Sequence, residues 1–337
     1  MGQQPIVAAV VGATGYTGAE VVRLLAAHPL ARVCTVTSER RAGRPLREAC
    51  PWLATDLILE AFDLESLEAD VVFLCQEAGF AMDVLPRLQG RMKVIDLSAD
   101  FRLHRIDVYE EWYKRPHGAS QCKPWPVYGL CELGAPEEFA TARSIANPGC
   151  YPTATLLALA PLTDFLVGTP IVDAKSGVSG AGRSKTETDF LFTELAGGFK
   201  PYGVTGHRHT PEIEQELGTK VRFTPHLIPA ARGICATIHV PFRAGAGRAE
   251  VLEAWRAKYS GRPFIEIRET GWPSTKEVQG SNKCVLAADF DPRTGHAVLV
   301  SVIDNLVKGA AGQAIQNMNL LFDLPEETGL PLSGVWP

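Results

Sequence analysis

Residues 6–29 read IVAAVVGATGYTGAEVVRLLAAHP. Ile6 to Val11 is an apolar run without alternation, as a strand covered on both faces requires. Glycines follow at 12, 15 and 18, and apolar residues then return at Val21, Val22, Leu24 and Leu25, a helical spacing that ends near Pro29. A strand, a glycine-rich turn and a helix in that order suit a phosphate: Gly12 permits the sharp turn, Gly15 lets backbone approach a pyrophosphate, and the helix N-terminus offers N–H groups and a positive dipole end. Further short apolar runs, ARVCTVTS (31–38), ADVVFLCQ (69–76) and KVIDLSAD (93–100), continue the pattern. They predict a Rossmann-type doubly wound α/β domain over residues 1–149.

Beyond residue 150 the pattern changes. PIVDAKSGVSG (170–180), VRFTPHLIPAARGICATIHVPF (221–242), PFIEIRE (263–269) and KCVLAADFDPRTGHAVLVSVIDN (283–305) are longer and alternating, with DPRTG as a hairpin tip. They predict an α+β domain with a mostly antiparallel sheet over 150–309. The helical segment KGAAGQAIQNMNLLFDLP is expected to return to the first domain, giving 1–149 plus 310–337. A chain of 337 residues, 46% of them hydrophobic, supports two cores.

Composition narrows the partners. A net charge of −5 without a basic block excludes an electrostatic footprint for nucleic acid, so a small-molecule partner is expected. The N-terminus carries neither the basic start of a signal peptide nor the Ser or Thr of a myristoylation signal. No membrane anchor and a cytoplasmic location are therefore expected. The cysteines at 34, 50, 75, 122, 131, 150, 235 and 284 form no CxxC pair, and no metal is expected.

One cysteine stands apart. In SIANPGCYPTATLLALAPL (144–162), Cys150 lies at the foot of an apolar helical run, where free N–H groups and the helix dipole stabilise a thiolate. Such a thiolate can attack an activated acyl carbon and hold it as a thioester. A proton carrier is available in TGHRHTPEIEQEL (205–217), where His207 and His209 flank Arg208. Their spacing of two is not that of a helical metal pair. Anion-binding groups recur in DLSADFRL (Ser98, Arg102) and KSGVSGAGRSK (Ser176, Ser179, Arg183, Ser184, Lys185). At the end of the second strand, VTSERRAGR offers Ser38, Arg40, Arg41 and Arg44 against a single acid, Glu39. Hydroxyl and guanidinium groups there suit a ribose 2′-phosphate, hence NADP(H).

Taken in order, GATGYTGAE, TSERRAG, DLSADFRL, NPGCYPTA, SGVSGAGR, GHRHTPEI and DNLVKGAAGQAIQNMNL resemble the N-acetyl-γ-glutamyl-phosphate reductases, from near residue 12 to near 320. The resemblance implies a two-domain enzyme of the aspartate-semialdehyde-dehydrogenase-like class. Such an enzyme reduces an acyl phosphate to an aldehyde with NADPH, in arginine biosynthesis. It further implies Cys150 as nucleophile and His209 as acid/base. Gly12, Thr14, Gly15, Tyr16, Thr17, Gly18, Ser38, Arg40, Arg41, Ser179, Gly180, Asn305 and Gly312 would serve the cofactor, and Arg102, Asn147, Arg183, Ser184, His207 and Arg208 the substrate. A homodimer or homotetramer is implied. β-Aspartyl phosphate and an N-acyl or carrier-bound aminoadipyl phosphate remain alternative substrates, because one methylene is worth only about 1–3 kcal/mol in a pocket.

Overall fold

The computed structural model describes residues 4–184 and 187–336, without the side chains of Asp189 and Phe192. Lys185 lies outside the described residues. The chain forms two compact units: one runs to Pro148 and includes Ala310–Leu330, and the other is Gly149–Gly309 with the residues from Pro331 on.

In the first unit, β1 (Ile6–Val11), β2 (Ala31–Thr37), β3 (Leu59–Glu60), β4 (Val71–Leu74), β5 (Lys93–Asp96), β6 (Val127–Tyr128) and β7 (Ser144–Ala146) form one sheet in the order β3-β2-β1-β4-β5-β7-β6. Every pairing is parallel. All four residues of β4 are buried, as expected of a parallel strand covered on both faces. The helix Phe80–Leu88 contributes Met82, Leu85 and Leu88 to a core shared with Val72, Leu74 and Val94. The doubly wound reading of the sequence is what the chain adopts.

The helix Gly312–Leu321 completes this unit in an unusual way, because Gln313, Gln316, Asn317 and Asn319 on it are all fully buried. Each is hydrogen-bonded. Gln316 donates to Glu132 (2.9 Å) and Glu326 (2.7 Å), and Asn317 to the Gly129 carbonyl (2.9 Å) and the Asn147 amide oxygen (3.0 Å). Asn319 donates to the carbonyls of Glu326 and Thr328, both at 2.9 Å. A buried polar layer of this kind is tolerable only when satisfied, and then it specifies one docking register.

The second unit holds β8 (Ile171–Gly177), β9 (Lys200–Pro201), β10 (Arg222–Ile228), β11 (Ile234–Pro241), β12 (Ile265–Arg268), β13 (Cys284–Asp291) and β14 (His296–Ile303), in the order β12-β13-β14-β11-β8-β10-β9. The sheet is mixed: β8/β10 and β12/β13 are parallel and the other four pairs antiparallel. β13 and β14 form the hairpin expected around DPRTG. The expectation that 310–337 goes as a block to the first domain meets a different arrangement past Leu330. There Asn282 N–H donates to the Pro331 carbonyl and Val335 N–H to the Gln279 carbonyl, within the second unit.

Against β11 and β14 packs the helix Cys150–Leu159, buried at every residue after Cys150. Its apolar residues fall on all sides, as a helix enclosed by protein requires. Its C-terminal carbonyls are satisfied from the helix Arg248–Tyr259: Trp255 Nε1 donates to Ala158 (2.9 Å) and Tyr259 Oη to Leu157 (2.7 Å). The helix is thereby pinned at the end opposite its cysteine.

Candidate active site

The nucleotide turn of the first unit follows from steric demands. Gly12 has φ +89°, and a Cβ there would lie 2.6 Å from the Cys75 carbonyl oxygen. At Gly18 a Cβ would meet the Gly12 oxygen at 2.3 Å. Those two glycines are fixed by the turn and by the packing of Tyr16–Ala26 against it. Gly15 is different. Its φ of −71° suits any residue, and an added Cβ would meet nothing closer than the Gly12 oxygen at 3.6 Å. The fold of the chain itself does not require glycine there.

At the edge of this turn the Thr14 and Ser38 hydroxyls lie 3.3 Å apart. Glu39, the acid that could have argued for a free 2′-hydroxyl, is engaged elsewhere: its carboxylate accepts the Phe62 N–H at 3.1 Å. Arg44 pairs with Glu48 at 3.0 Å. Arg40 and Arg41 are exposed, and among the described residues neither has an ion-pair partner. Tyr16 is exposed at the helix start, beside Thr17. Gly312 opens the buried C-terminal helix of this unit.

Two residues expected to meet substrate also make hydrogen bonds within the first unit. Arg102 is buried, with Nε donating to the Asn147 carbonyl (2.8 Å) and a terminal nitrogen to the Leu97 carbonyl (3.0 Å). Both ends of the Asn147 amide are occupied, its nitrogen by the Ala310 carbonyl (3.1 Å) and its oxygen by Asn317 (3.0 Å). Together they hold the Asn-Pro turn in place.

In the second unit, Gly149 caps the cysteine helix with extended backbone, and Cys150 is its first residue, half-buried. Thr153 donates both its N–H (2.9 Å) and its hydroxyl (3.0 Å) to the Gly149 carbonyl. The Gly149 N–H goes to Glu212 Oε1 at 2.8 Å. Glu212 is 1% exposed and lies in the first turn of the helix Thr210–Leu217, three residues past His209. One carboxylate thus ties the residue before the cysteine to the helix that follows the histidine. Glu212 lies inside the GHRHTPEI motif, but its burial and its bond to Gly149 could not be read from the sequence.

Aromatic rings surround the histidines. His207 sits edge-on to Tyr151, Tyr202 and Phe223, with ring centres 5.3–5.6 Å apart, and His209 lies 4.9 Å from His207 and 5.8 Å from Tyr151. Tyr202 donates to the Tyr151 hydroxyl at 3.2 Å, which reaches the His226 carbonyl at 3.2 Å. Burial holds both tyrosines well above the usual phenol range, so each is a neutral hydroxyl. The His207 Nδ1 accepts the His209 N–H at 3.1 Å. Burial, and then the Arg208 charge, push His207 down to about 4. At pH 7 it is therefore neutral, and Arg208 beside it is exposed.

Ser179, Gly180 and Asn305 come together in the same unit. Asn305 Nδ2 donates to the Ser179 hydroxyl (2.9 Å) and its Oδ1 accepts the Gly233 N–H (2.8 Å). A Cβ on Gly180 would lie 3.0 Å from the Ser176 hydroxyl and 3.8 Å from Asn305 Nδ2. Arg183 and Ser184 are exposed in the turn that follows.

Comparison with known proteins places the chain in a family. Residues 7–142 match the semialdehyde dehydrogenase NAD binding domain, and 150–305 the semialdehyde dehydrogenase dimerisation domain. N-acetyl-gamma-glutamyl-phosphate reductase of Brevibacillus brevis is 47% identical, covering 97% of this chain and 99% of its own. That of Geobacter sp. is 46% identical, covering 98% and 99%. Aspartate semialdehyde dehydrogenase II of Vibrio cholerae, solved as a complex with ASA, superposes with a TM-score of 0.72 at 19% identity, over 95% of this chain and 99% of that one. The Candida albicans aspartate semialdehyde dehydrogenase, solved with NADP, gives 0.67 at 18%, again over 95% and 99%. The chain belongs to the semialdehyde dehydrogenase family, among its N-acetyl-γ-glutamyl-phosphate reductases, and is an oxidoreductase with a nicotinamide-dinucleotide-binding domain.

Proposed function

We propose that the protein reduces N-acetyl-γ-glutamyl phosphate to N-acetylglutamate 5-semialdehyde, with release of phosphate, as a cytoplasmic homo-oligomeric enzyme of arginine biosynthesis. The observation that carries the reading is Cys150 at the half-buried foot of an otherwise buried helix, linked through Gly149 and Glu212 to the His209 segment. The names of the relatives supply the substrate.

Cys150, as thiolate, attacks the acyl carbon; the C–O bond to phosphate breaks and phosphate leaves with the electron pair. A thioester on Cys150 remains. A nicotinamide cofactor, when bound, supplies the hydride that reduces this acyl carbon. His209 gives a proton to the resulting oxyanion and takes it back as the carbonyl re-forms and the C–S bond breaks, returning the thiolate. The neutral His207 fixes the backbone of His209 through the 3.1 Å bond. Arg208 and Arg183, both exposed, are the proposed ligands of the departing phosphate or the substrate carboxylate.

The residues present fit a phosphorylated dinucleotide. Gly12, Thr14, Gly15, Tyr16, Thr17 and Gly18 would hold the pyrophosphate, where Gly15 leaves room that the chain does not need. Ser38, Arg40 and Arg41 would hold a 2′-phosphate, supported by the engagement of Glu39 with Phe62. Ser179, Gly180, Asn305 and Gly312 are proposed for the nicotinamide end.

The test is the reaction run backwards: reduction of NADP⁺ by N-acetylglutamate semialdehyde in the presence of phosphate. Turnover should require phosphate, exceed that with the aspartate and aminoadipate semialdehydes, and fall about 1,000-fold or more in Cys150→Ser, as expected when a covalent nucleophile is lost. Near-normal turnover in that variant would falsify the nucleophile assignment.

A further inference from the structure

Gly309 has no conformational reason to be glycine, since its φ lies outside the left-handed region where glycine is favoured. It has a steric one. A Cβ built on it would lie 2.8 Å from Cys150 Cβ and 3.3 Å from Cys150 Cα, with Ile303 Cδ1 also at 3.3 Å. The backbone of Gly309 therefore forms a wall against the root of the cysteine side chain.

A wide turn places that wall. Val307–Ala311 is a π-helical segment in which Gly309 N–H donates to the Asp304 carbonyl, five residues back, at 2.9 Å. Asp304, fully buried, organises the entry: Oδ1 accepts the N–H groups of Leu306 (2.8 Å) and Val307 (3.2 Å), and Oδ2 that of Gly280 (2.7 Å). π-turns cost regular hydrogen bonding and are found mostly where a chain must deliver one residue to a functional position. A regular α-turn from the same start would rotate Gly309 away from its present contact.

We infer that Gly309, presented by the Asp304 π-turn, is a positioning residue for Cys150: its missing side chain sets where the thiol stands at the helix N-terminus. The inference rests on the reading of Cys150 as nucleophile. Any side chain at 309 must move Cys150 Cβ, and the Sγ beyond it moves further, both from the acyl carbon and from the helix N–H groups that favour the thiolate. The energetic lever is geometric, because a displacement of ~1 Å at a reacting atom costs on the order of 100-fold in rate.

The experiment compares Gly309→Ala with Gly168→Ala in the full chain. An added Cβ at Gly168, an exposed residue of the same unit, meets Pro241 Cγ at the same 2.8 Å, which makes it a control for one such contact away from Cys150. Two quantities are read: kcat and KM for phosphate-dependent semialdehyde oxidation, and the rate of Cys150 carboxamidomethylation by iodoacetamide as a function of pH. For Gly309→Ala, kcat should fall about 10- to 100-fold with KM for NADP⁺ within about twofold. The alkylation midpoint should move to higher pH, as the thiolate loses helix N–H stabilisation. Gly168→Ala should change neither. A kcat within about threefold of native with an unmoved alkylation profile overturns the inference. If Gly309→Ala does not fold, the double variant Gly309→Ala/Cys150→Gly decides: melting close to that of Cys150→Gly alone supports the contact, and failure to fold overturns it. Alkylation needs no substrate, so a native protein inactive on this aldehyde refutes the substrate reading while the alkylation comparison still judges Gly309.

Discussion

Glu39 shows how one residue's partner changes the meaning of a loop. In the sequence it is the acid that could bind a ribose hydroxyl; in the structure its carboxylate holds the Phe62 N–H, while the exposed Arg40 and Arg41 have no ion-pair partner among the described residues. Replacing both arginines by alanine should raise KM for NADP⁺ about 100-fold or more, since a hydrogen bond to a charged group contributes about 1.5–3 kcal/mol, while KM for NAD⁺ stays within about twofold. Equal losses for both cofactors would remove the 2′-phosphate assignment. His207 makes the second residue-scale prediction. Its folded value, about 4, lies below the ordinary 6.5, so the unfolded chain binds the extra proton first as pH falls. The stability contributed by neutral His207 is present above about pH 6.5 and lost between there and 4, on the order of 3 kcal/mol. In His207→Asn, whose side-chain oxygen can still accept the His209 N–H, urea-unfolding stability should lose this slope and keep most of the turnover. His207→Phe, which cannot accept it, should lose turnover.

At the scale of elements, β5 carries a titration of opposite sign. Asp96, at its C-terminal end, is fully buried and accepts the N–H and hydroxyl of Ser98 at 2.8 and 2.9 Å. Burial first, and the charge of Asp100 second, push it up to about 7. The folded state then holds a proton that the unfolded chain releases near pH 4, so this contribution to stability is present below about 4 and lost as pH rises to 7. Asp96→Asn should therefore gain stability over native between pH 5 and 8 in urea titrations; a deficit growing with pH would show that the ionised carboxylate is needed. The cysteine helix offers a complementary element-scale test. Glu212→Gln keeps an acceptor for the Gly149 N–H but removes the charge, and should hold kcat within about tenfold. Glu212→Ala leaves that buried donor unpaired, costing about 1–3 kcal/mol of stability.

On the scale of the whole molecule, the first unit is assembled from two distant stretches. Its closing helix presents Gln313, Gln316, Asn317 and Asn319 to partners inside that unit, so residues 1–148 alone would leave those partners buried without donors or flooded by water. Such a fragment should unfold without a cooperative transition. Joining Pro148 to Ala310 through a short Gly/Ser linker should restore one, since Asn147 already bonds the Ala310 carbonyl at 3.1 Å. Loss of cooperativity in the joined protein would show that the unit depends on the second one for its fold. Among the described residues no helix is long and apolar enough to cross a membrane.

The sheet classes, the glycine turn and the cysteine helix are legible in the local sequence. Those features are local: burial on both faces writes an unbroken apolar strand, a sharp turn demands Gly12, and a fully enclosed helix shows apolar residues on every side. Tertiary structure alone decided the rest. Glu212 and Glu39 are ordinary surface acids in a sequence until a distant N–H is found against each, 63 and 23 residues away. Asn147 and Arg102 show only their polar type in the sequence; chain folding seats Asn147 in the buried polar layer and gives Arg102 the Asn147 and Leu97 carbonyls. Gly309 is one more glycine in a small-residue run until Cys150, 159 positions earlier, is placed against it. A side chain's type records what it can do, but which partner it meets depends on contacts between residues far apart in the chain, and local patterns do not carry that information.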